Sequence, residues 1–470
     1  MQSRETTLRE LCSRHEQDHV FTFWDRLTPD QRDMLLSDLE RVRFEEMPAL
    51  LRIVAAGTEH PHYDRIEPPV CVRRPVDTRG DERTALGESL LSRSAVAALL
   101  VAGGQGTRLG FDGPKGAFRI SPVRQKPLFQ LFAEQILATD RRYGGRTRWY
   151  IMTSEANDAE TRAFFEQHRR FGLPLDQISF FKQGSMPAFS LDGRMILESP
   201  HRLALSPDGH GGSLLAMATT GVLADMAGRG IEHVGYFQVD NPLVRCLDPF
   251  FIGLHAERGS EMSSKTVPKA SDDEKVGVFA ICDGVLRVLE YSDLPNELAK
   301  ARQPDGSRRF DAGSIAVHIL ARTFVERLTA DPAAFRLPWH RAVKKVSSVD
   351  LRTGQMVQPN APNAVKLEAF VFDALPLAKN PVILETNRRE EFSPVKNATG
   401  VDSVETSQRA LSDRAARWLE SAGVRVPRTA AGEYSGRYEI SPLRAMEAAH
   451  LREGPPLPRE VRGDVYVDAT

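Results

Sequence analysis

Residues 98–118 read ALLVAGGQGTRLGFDGPKGAF, and this stretch decides the fold. The apolar run Ala95 to Val101 has the length and flanks of a buried parallel strand, and it breaks at once into Gly103, Gly104 and Gly106. Without Cβ atoms, the main chain at such a junction can approach an anion closely and offer it backbone N–H groups. Arg108 and Lys115 add positive charge to the same mouth. These features together point to a site for a nucleoside triphosphate. Two other glycine loops are excluded letter by letter. No Gly-Lys-Ser or Gly-Lys-Thr occurs, so there is no P-loop. The third glycine of the dinucleotide fingerprint should fall at Leu109, whereas Gly110 comes one residue late. A glycine-rich turn that binds nothing is the remaining alternative from the loop alone.

Composition sets the frame. The chain has 470 residues, room for a large core and two or three domains. With 62 Lys and Arg against 63 Asp and Glu, the formal net charge is -1, so bulk charge implies neither a nucleic-acid partner nor a membrane surface. Any anion site must be local. Cys12, Cys71, Cys246 and Cys282 lack metal-ligand spacing and read as reduced thiols of a cytoplasmic protein. The start, MQSRETTLRE, is too polar for a signal sequence, and no apolar run approaches the roughly 20 residues that span a bilayer.

Residues 1–90 read as a helical region and linker. Thr28-Pro29-Asp30-Gln31 is a capping-box N-terminus, followed by an apolar face of Leu35, Leu36, Leu39 and Val42. From Glu67 to Ser94 the proline-bearing, charged composition predicts a connecting arm. Residues 91–395 read as the catalytic domain. Strand-like runs at Trp149 to Met152, Val234 to Val239, Val276 to Ile281 and Phe370 to Phe372 alternate with helical segments such as Leu128 to Ala138. That alternation predicts an α/β fold with a doubly wound, mainly parallel sheet. Residues 396–470 read as a small C-terminal domain entered by a helix from about Ser407 to Ser421. Asp240 follows the Val234 to Val239 run and so falls at a strand's C-terminal end, where open α/β sheets bind ligands.

GGQGTRLG followed by Pro114-Lys115-Gly116 resembles the signature of the UDP-sugar pyrophosphorylases, above all the eukaryotic UDP-N-acetylhexosamine enzymes. The resemblance continues in family order through WYIMTSE (Trp149 to Glu155), FFKQGSMPAFSLDGRMILES (Phe180 to Ser199), SPDGHGG (Ser206 to Gly212) and VDN (Val239 to Asn241). It ends with VLEYSDL (Val288 to Leu294), DAGSIAVH (Asp311 to His318), KLEAFVFD (Lys366 to Asp373) and EFSPVKN (Glu391 to Asn397). The family implies a Rossmann-like, GT-A-like nucleotidyltransferase sheet and a uridylyltransferase. A sugar 1-phosphate oxygen attacks the α-phosphorus of UTP in line, giving UDP-sugar and pyrophosphate.

The resemblance assigns catalytic roles to Arg108, Lys115 and Lys396, with Lys396 on the sugar phosphate. Nucleotide binding falls to Gly103, Gly104, Gln105, Gly106, Thr107, Gln183 with Gly184, and Gly209. Asp240 becomes the ligand of Mg²⁺, with Mn²⁺ a substitute. Gly277, Glu290, Phe370 and Phe372 map to the sugar pocket, and the spacing of the two phenylalanines predicts one shared sheet face. His210 and Ser314 depart from the N-acetylhexosamine pattern, which carries an asparagine at each position. An amide both donates and accepts, as an N-acetyl group wants. Losing both amides weighs against N-acetylglucosamine 1-phosphate, but the overall likeness keeps it the expected sugar substrate, with glucose 1-phosphate or broad specificity as the alternative. A nicotinamide-dependent oxidoreductase would need an acid near Arg124 and Gln125, and an inactive nucleotide-binding relative would not need Arg108, Lys115, Asp240 and Lys396 together. The expected partners are UTP and a sugar 1-phosphate, with no nucleic acid or membrane. The sequence leaves the oligomeric state open.

Overall fold

The structure, a computed structural model, describes residues 3–57 and 61–469. They form two compact units, each discontinuous in sequence. One comprises residues 1–62, 183–216 and 334–374; the other comprises 63–182, 217–333 and 375–470. Continuous ranges such as 1–90, 91–395 and 396–470 do not express this partition.

The larger unit is built on a sheet whose main path runs Val72–Arg73, Val382–Glu385, Met262–Pro268, Ala312–Ala321, His233–Gln238, Val96–Val101, Trp149–Thr153, Ile178–Lys182. Adjacent pairs are parallel except on either side of Ala312–Ala321, which runs against both neighbours. Val96–Val101 and Trp149–Thr153 are near-continuous apolar runs because both of their faces are covered. Helix Leu128–Tyr143 crosses over between them, burying Leu128, Phe129, Phe132 and Ile136, and stops at Gly144 in the left-handed region. The expected strand at Val276 to Ile281 pairs as Val278–Cys282, the first arm of a hairpin with Val285–Leu289. Helix Val404–Ser421 starts with a capping box of Ser403 and Thr406 and buries Ala416 and Leu419 beneath Tyr438. The parallel pair Tyr438–Ile440 and Val465–Val467 completes this C-terminal part.

In the smaller unit, helix Pro29–Leu39 begins as the sequence predicts, with Thr28 and Gln31 capping reciprocally. Leu35, Leu39, Met47 and Leu50 share one core with Phe189, Val365 and Leu367. The latter three come from an antiparallel sheet of Trp339–Lys344, Ala364–Ala369 and Phe189–Ser190.

Two expectations need correction. The segment Glu67 to Ser94 is not only an arm, since Glu82–Ser92 is an α-helix capped by Asp81. It packs on helix Pro249–Glu257 through glycines rather than apolar side chains, which hid it from pattern reading. A Cβ at Gly87 would lie 1.9 Å from the Pro249 carbonyl oxygen, and one at Gly253 would lie 1.6 Å from the Arg83 carbonyl oxygen. Phe370 and Phe372 are not in a strand either. The ladder ends at Ala369 and the chain turns into a 3-10 helix, Val371–Leu377.

Gly253→Ala must push these two helices apart. It should cost about 2 kcal/mol or more in urea unfolding, whereas Leu86→Ala, at an exposed position of the first helix, should change stability by less than about 0.5 kcal/mol.

Candidate functional site

In the larger unit the chain leaves Val96–Val101 and folds the glycine segment back on itself. The Gly106 N–H donates to the Gly113 carbonyl at 2.9 Å and the Lys115 N–H to the Gly104 carbonyl at 3.1 Å. These bonds seat Lys115 beside the glycines. From behind, the Ser154 hydroxyl donates to the Gly103 carbonyl at 2.8 Å, and the Asn157 amide donates to the carbonyls of Ala102 at 2.9 Å and Gly104 at 3.3 Å. Gln105 adds a bond to the Ala156 carbonyl at 3.3 Å. Gly104 itself is exposed, and a Cβ there would meet open space. Thr107 and Arg108 are exposed in the 3-10 turn Thr107–Leu109, which buried Leu109 anchors.

Two distant segments close on this loop. The Ala398 N–H donates to the Arg108 carbonyl at 3.0 Å, and the Val395 N–H donates to the Asp240 carbonyl at 2.7 Å. Asn241, buried, donates from its amide to the Glu391 carbonyl at 2.7 Å and accepts from the Ser393 N–H at 3.2 Å. Asp240 and Lys396 are thereby carried by segments hydrogen-bonded to each other. Lys396 Nζ lies 3.7 Å from Asp402. The Lys115 ammonium is held below the usual lysine range by burial and by the charges of Arg108 and Lys396, with Asp240 opposing. Arg108, Lys115, Asp240 and Lys396 are thus one electrostatic cluster around the glycine loop.

Beneath this cluster lies an ion network. Lys265, with no exposed surface, bonds Asp248 at 2.7 Å and also the carboxylate of Glu391, whose backbone carries the Asn241 bond. Arg74 reaches the same Asp248 oxygen at 2.5 Å.

Gly277, Glu290 and Ser314 also converge in this unit. The Ser314 N–H donates to the Gly277 carbonyl at 2.8 Å, and a Cβ at Gly277 would stand 3.1 Å from Glu290 Oε1.

The smaller unit carries the remaining candidates. The antiparallel pair Ser185–Pro187 and Leu205–Pro207 brings Gly184, which follows half-buried Gln183, to Asp208. Gly209 has φ +86°, and a Cβ there would lie 2.4 Å from the Ala369 carbonyl oxygen, so only glycine fits. His210 Nδ1 accepts from the Val371 N–H at 3.1 Å, which leaves Nε2 as the protonated nitrogen. Its ring stacks on Phe370 with centroids 5.0 Å apart and lies 5.8 Å from Phe372. Phe370 also stacks on His340 at 4.3 Å, and His340 Nε2 bonds Asp373 at 2.8 Å. Burial, aided by the neighbouring His340, lowers the His210 pKa to about 4, so the ring is neutral at physiological pH. The two phenylalanines meet His210 although they share no strand, because the 3-10 turn replaces the pleat in bringing them together.

Ser154, Asn157, Asn241, Asp208 and His340 were not singled out from the sequence. Ser154, Asn241 and Asp208 lie inside motifs quoted above; Asn157 and His340 had no comparable signal.

The profile of the family described as UTP--glucose-1-phosphate uridylyltransferase matches residues 61–419. A human protein named UDP-N-acetylhexosamine pyrophosphorylase-like protein 1 is 40% identical over 442 residues, spanning 90% of this chain and 86% of that one. The UDP-N-acetylglucosamine pyrophosphorylase of Saccharomyces cerevisiae is 36% identical over 439 residues, spanning 89% and 92%. Among solved structures, the uridine diphosphate N-acetylglucosamine pyrophosphorylase of Trypanosoma brucei, in complex with inhibitor, superposes with a TM-score of 0.82 at 27% identity, covering 99% of this chain and 98% of that one.

Lys265→Met would strip the buried Glu391 carboxylate of its ion-pair partner and leave Asp248 to Arg74 and Arg245. It should lower unfolding stability by about 3–5 kcal/mol, measured by denaturant titration at neutral pH.

Proposed function

The chain belongs to the UTP--glucose-1-phosphate uridylyltransferase family, and from that premise we propose that it condenses UTP with N-acetylglucosamine 1-phosphate to give UDP-N-acetylglucosamine and pyrophosphate. Uridylyl transfer is the nucleotidyltransferase chemistry of the family; the sugar and the residue roles are the proposal. The observation that carries it is the cluster of Arg108, Lys115, Asp240 and Lys396 around an open glycine loop.

The reaction brings a phosphate monoester against a triphosphate, so the protein must hold two polyanions in line and neutralise charge on the departing pyrophosphate. In this reading the glycine loop from Gly103 to Thr107 holds the nucleotide, and Arg108 and Lys115 face the β- and γ-phosphates. Lys396 orients the sugar phosphate, whose oxygen forms the new bond to the α-phosphorus as the bond to the β-phosphate bridge breaks. No proton transfer is required, because the attacking phosphate oxygen is already ionised. Gln183 and Gly184 read uracil, Gly209 contacts the nucleotide, and Gly277, Glu290, His210, Ser314, Phe370 and Phe372 serve the sugar.

Mg²⁺ fits this donor set. Among the described residues no group of three or more His, Cys, Asp or Glu forms a metal cage, and a single carboxylate such as Asp240 suits a cation that keeps its waters and takes substrate phosphates as ligands. When bound, the ion supplies neutralisation of phosphate charge. Mn²⁺ is expected to substitute.

Glucose 1-phosphate is the second reading, and His210 favours it. With Nδ1 occupied by Val371, the ring offers a sugar one donor and no acceptor, unlike the amide of an asparagine. A cytoplasmic setting is also proposed. The four cysteines are unpaired, and no described helix is long and apolar enough to cross a membrane.

With UTP, Mg²⁺ and a panel of sugar 1-phosphates, the purified protein should release pyrophosphate fastest with N-acetylglucosamine 1-phosphate. A faster rate with glucose 1-phosphate would select the second reading, and silence across the panel would reject both. Asp240→Ala should reduce turnover by about 100- to 1,000-fold with an unchanged melting temperature, because the backbone bond from Val395 remains. Near-normal turnover would mean that Asp240 is not the metal ligand.

A further inference from the structure

Asp208 stands in the turn that carries Gly209 and His210, and its carboxylate is buried to within 2% of full enclosure. It is wedged between two backbones. A Cβ at Gly184 would lie 2.3 Å from Oδ2, and one at Gly212 would lie 2.1 Å from Oδ1. Oδ1 has no hydrogen-bond partner among the described residues. Among the described residues, Arg43 of the N-terminal segment is the cation paired with this carboxylate, its Nη2 3.7 Å from Oδ2. That distance makes a charge pair rather than a hydrogen bond.

Arg43 is itself held in place. Its Nη1 donates to the buried Glu46 at 2.7 Å, and its guanidinium lies over the Trp339 ring at 5.6 Å. Glu46 also accepts from Trp339 Nε1 at 3.3 Å and pairs with Arg336 at 3.4 Å. Arg43, Arg336, Trp339, Asp208, Gly211 and Gly212 line one cavity of about 20 Å3, room for a single water. The charged groups around Asp208 are therefore Arg43, Glu46 and Arg336, with neutral His210 further along the same turn.

We infer that Arg43 is a positioning residue for the nucleotide turn, acting through Asp208: the guanidinium keeps this carboxylate ionised, and the ionised carboxylate fixes Gly184 and Gly212 on either side. The inference rests on the proposed reading of Gly184 and Gly209 as nucleotide contacts. It gives the N-terminal helices a part in turnover beyond supporting a core. Burying a carboxylate costs stability, so its presence in this turn has to be sought in function. Burial raises the Asp208 pKa to about 6, and Arg43 opposes the rise. Removing Arg43 must therefore raise it further. When protonated, Asp208 becomes a donor and re-pairs with a nearby carbonyl, moving the glycines it wedges.

The test compares wild type, Arg43→Gln, Arg43→Lys, Asp208→Asn and the Arg43→Gln/Asp208→Asn double variant. First, kcat/KM for UTP is measured from pH 5 to 9 with N-acetylglucosamine 1-phosphate and Mg²⁺. Wild type should lose activity below about pH 6. In Arg43→Gln that limb should move up by about one unit or more and the deficit should vanish near pH 9, where Asp208 ionises unaided. Arg43→Lys should restore the wild-type profile. Asp208→Asn should be slow at all pH values with no such limb, and the double variant should be no slower. A deficit in Arg43→Gln that persists at pH 9, or that multiplies with that of Asp208→Asn, overturns the inference.

Second, melting temperatures are measured over the same range without substrate. A carboxyl whose folded pKa exceeds its unfolded value contributes less stability as pH rises through that window. Asp208→Asn should therefore melt higher than wild type above pH 6, with the gain fading toward pH 4. Arg43→Gln should lower the melting temperature at neutral pH by more in the wild-type background than in Asp208→Asn, the part common to both being its lost bond to Glu46. Wild type that melts in this pattern yet releases no pyrophosphate would reject the proposed reaction and leave the charge coupling standing. The opposite melting pattern would reject the coupling itself.

Discussion

Lys265 is the constraint on which the larger unit depends. Its ammonium sits in a central strand with no exposed surface, between the carboxylates of Asp248 and Glu391. Desolvating three charges is expensive, and the cluster persists because each charge is also hydrogen-bonded. Burial would raise the Asp248 carboxyl, but Arg74, Lys265 and Arg245 hold it far below the usual carboxylate range. Glu391 Oε1 takes the Thr386 hydroxyl at 2.5 Å, so neither of its oxygens is idle. The geometry above follows directly. Glu391 fixes the segment that ends at Lys396, and the Asn241 amide, bonded to the Glu391 carbonyl, fixes the turn that begins at Asp240. Two opposite charges of the site thus take their spacing from a third pair that never meets solvent.

That arrangement explains why this cation was illegible. MSSKTVP has no apolar alternation, yet every residue from Met262 to Val267 is buried. A lysine there reads as a surface residue until its partners, 17 and 126 positions away, are in place. By contrast, the glycine loop, the Thr28 capping box and the Val96–Val101 and Trp149–Thr153 strands were legible because their causes are local: backbone access, reciprocal caps and a continuous apolar run. Helix Glu82–Ser92 escaped because glycine-mediated packing leaves no stripe of large side chains. The placement of Phe370 and Phe372 at His210 was legible as resemblance and not as geometry, since spacing by two predicted a strand where a 3-10 turn stands.

A net charge of -1 suits a protein that must handle polyanions at one point only. The positive field comes from Arg108, Lys115 and Lys396 acting together; burial is the main reason the Lys115 pKa is lowered, and the other two cations add to it. Cations crowded this closely repel one another, and Asp240 offsets part of that repulsion. The histidine and phenylalanine rings work by the opposite rule. They are uncharged and stacked, suited to a flat or hydroxylated group that carries no formal charge.

The discontinuous make-up of the smaller unit has a consequence during synthesis. Its N-terminal apolar residues from Leu8 to Val54 share a core with Val365 and Leu367, which leave the ribosome last among that core's members. At about 5–20 residues per second, the apolar sides of those early helices wait roughly 15–60 s for their partners. Over that interval the nascent chain exposes Leu35, Leu39 and Leu50 to whatever chaperones attend it, while most of the sheet that carries the glycine loop is synthesised between the early and late segments of the smaller unit.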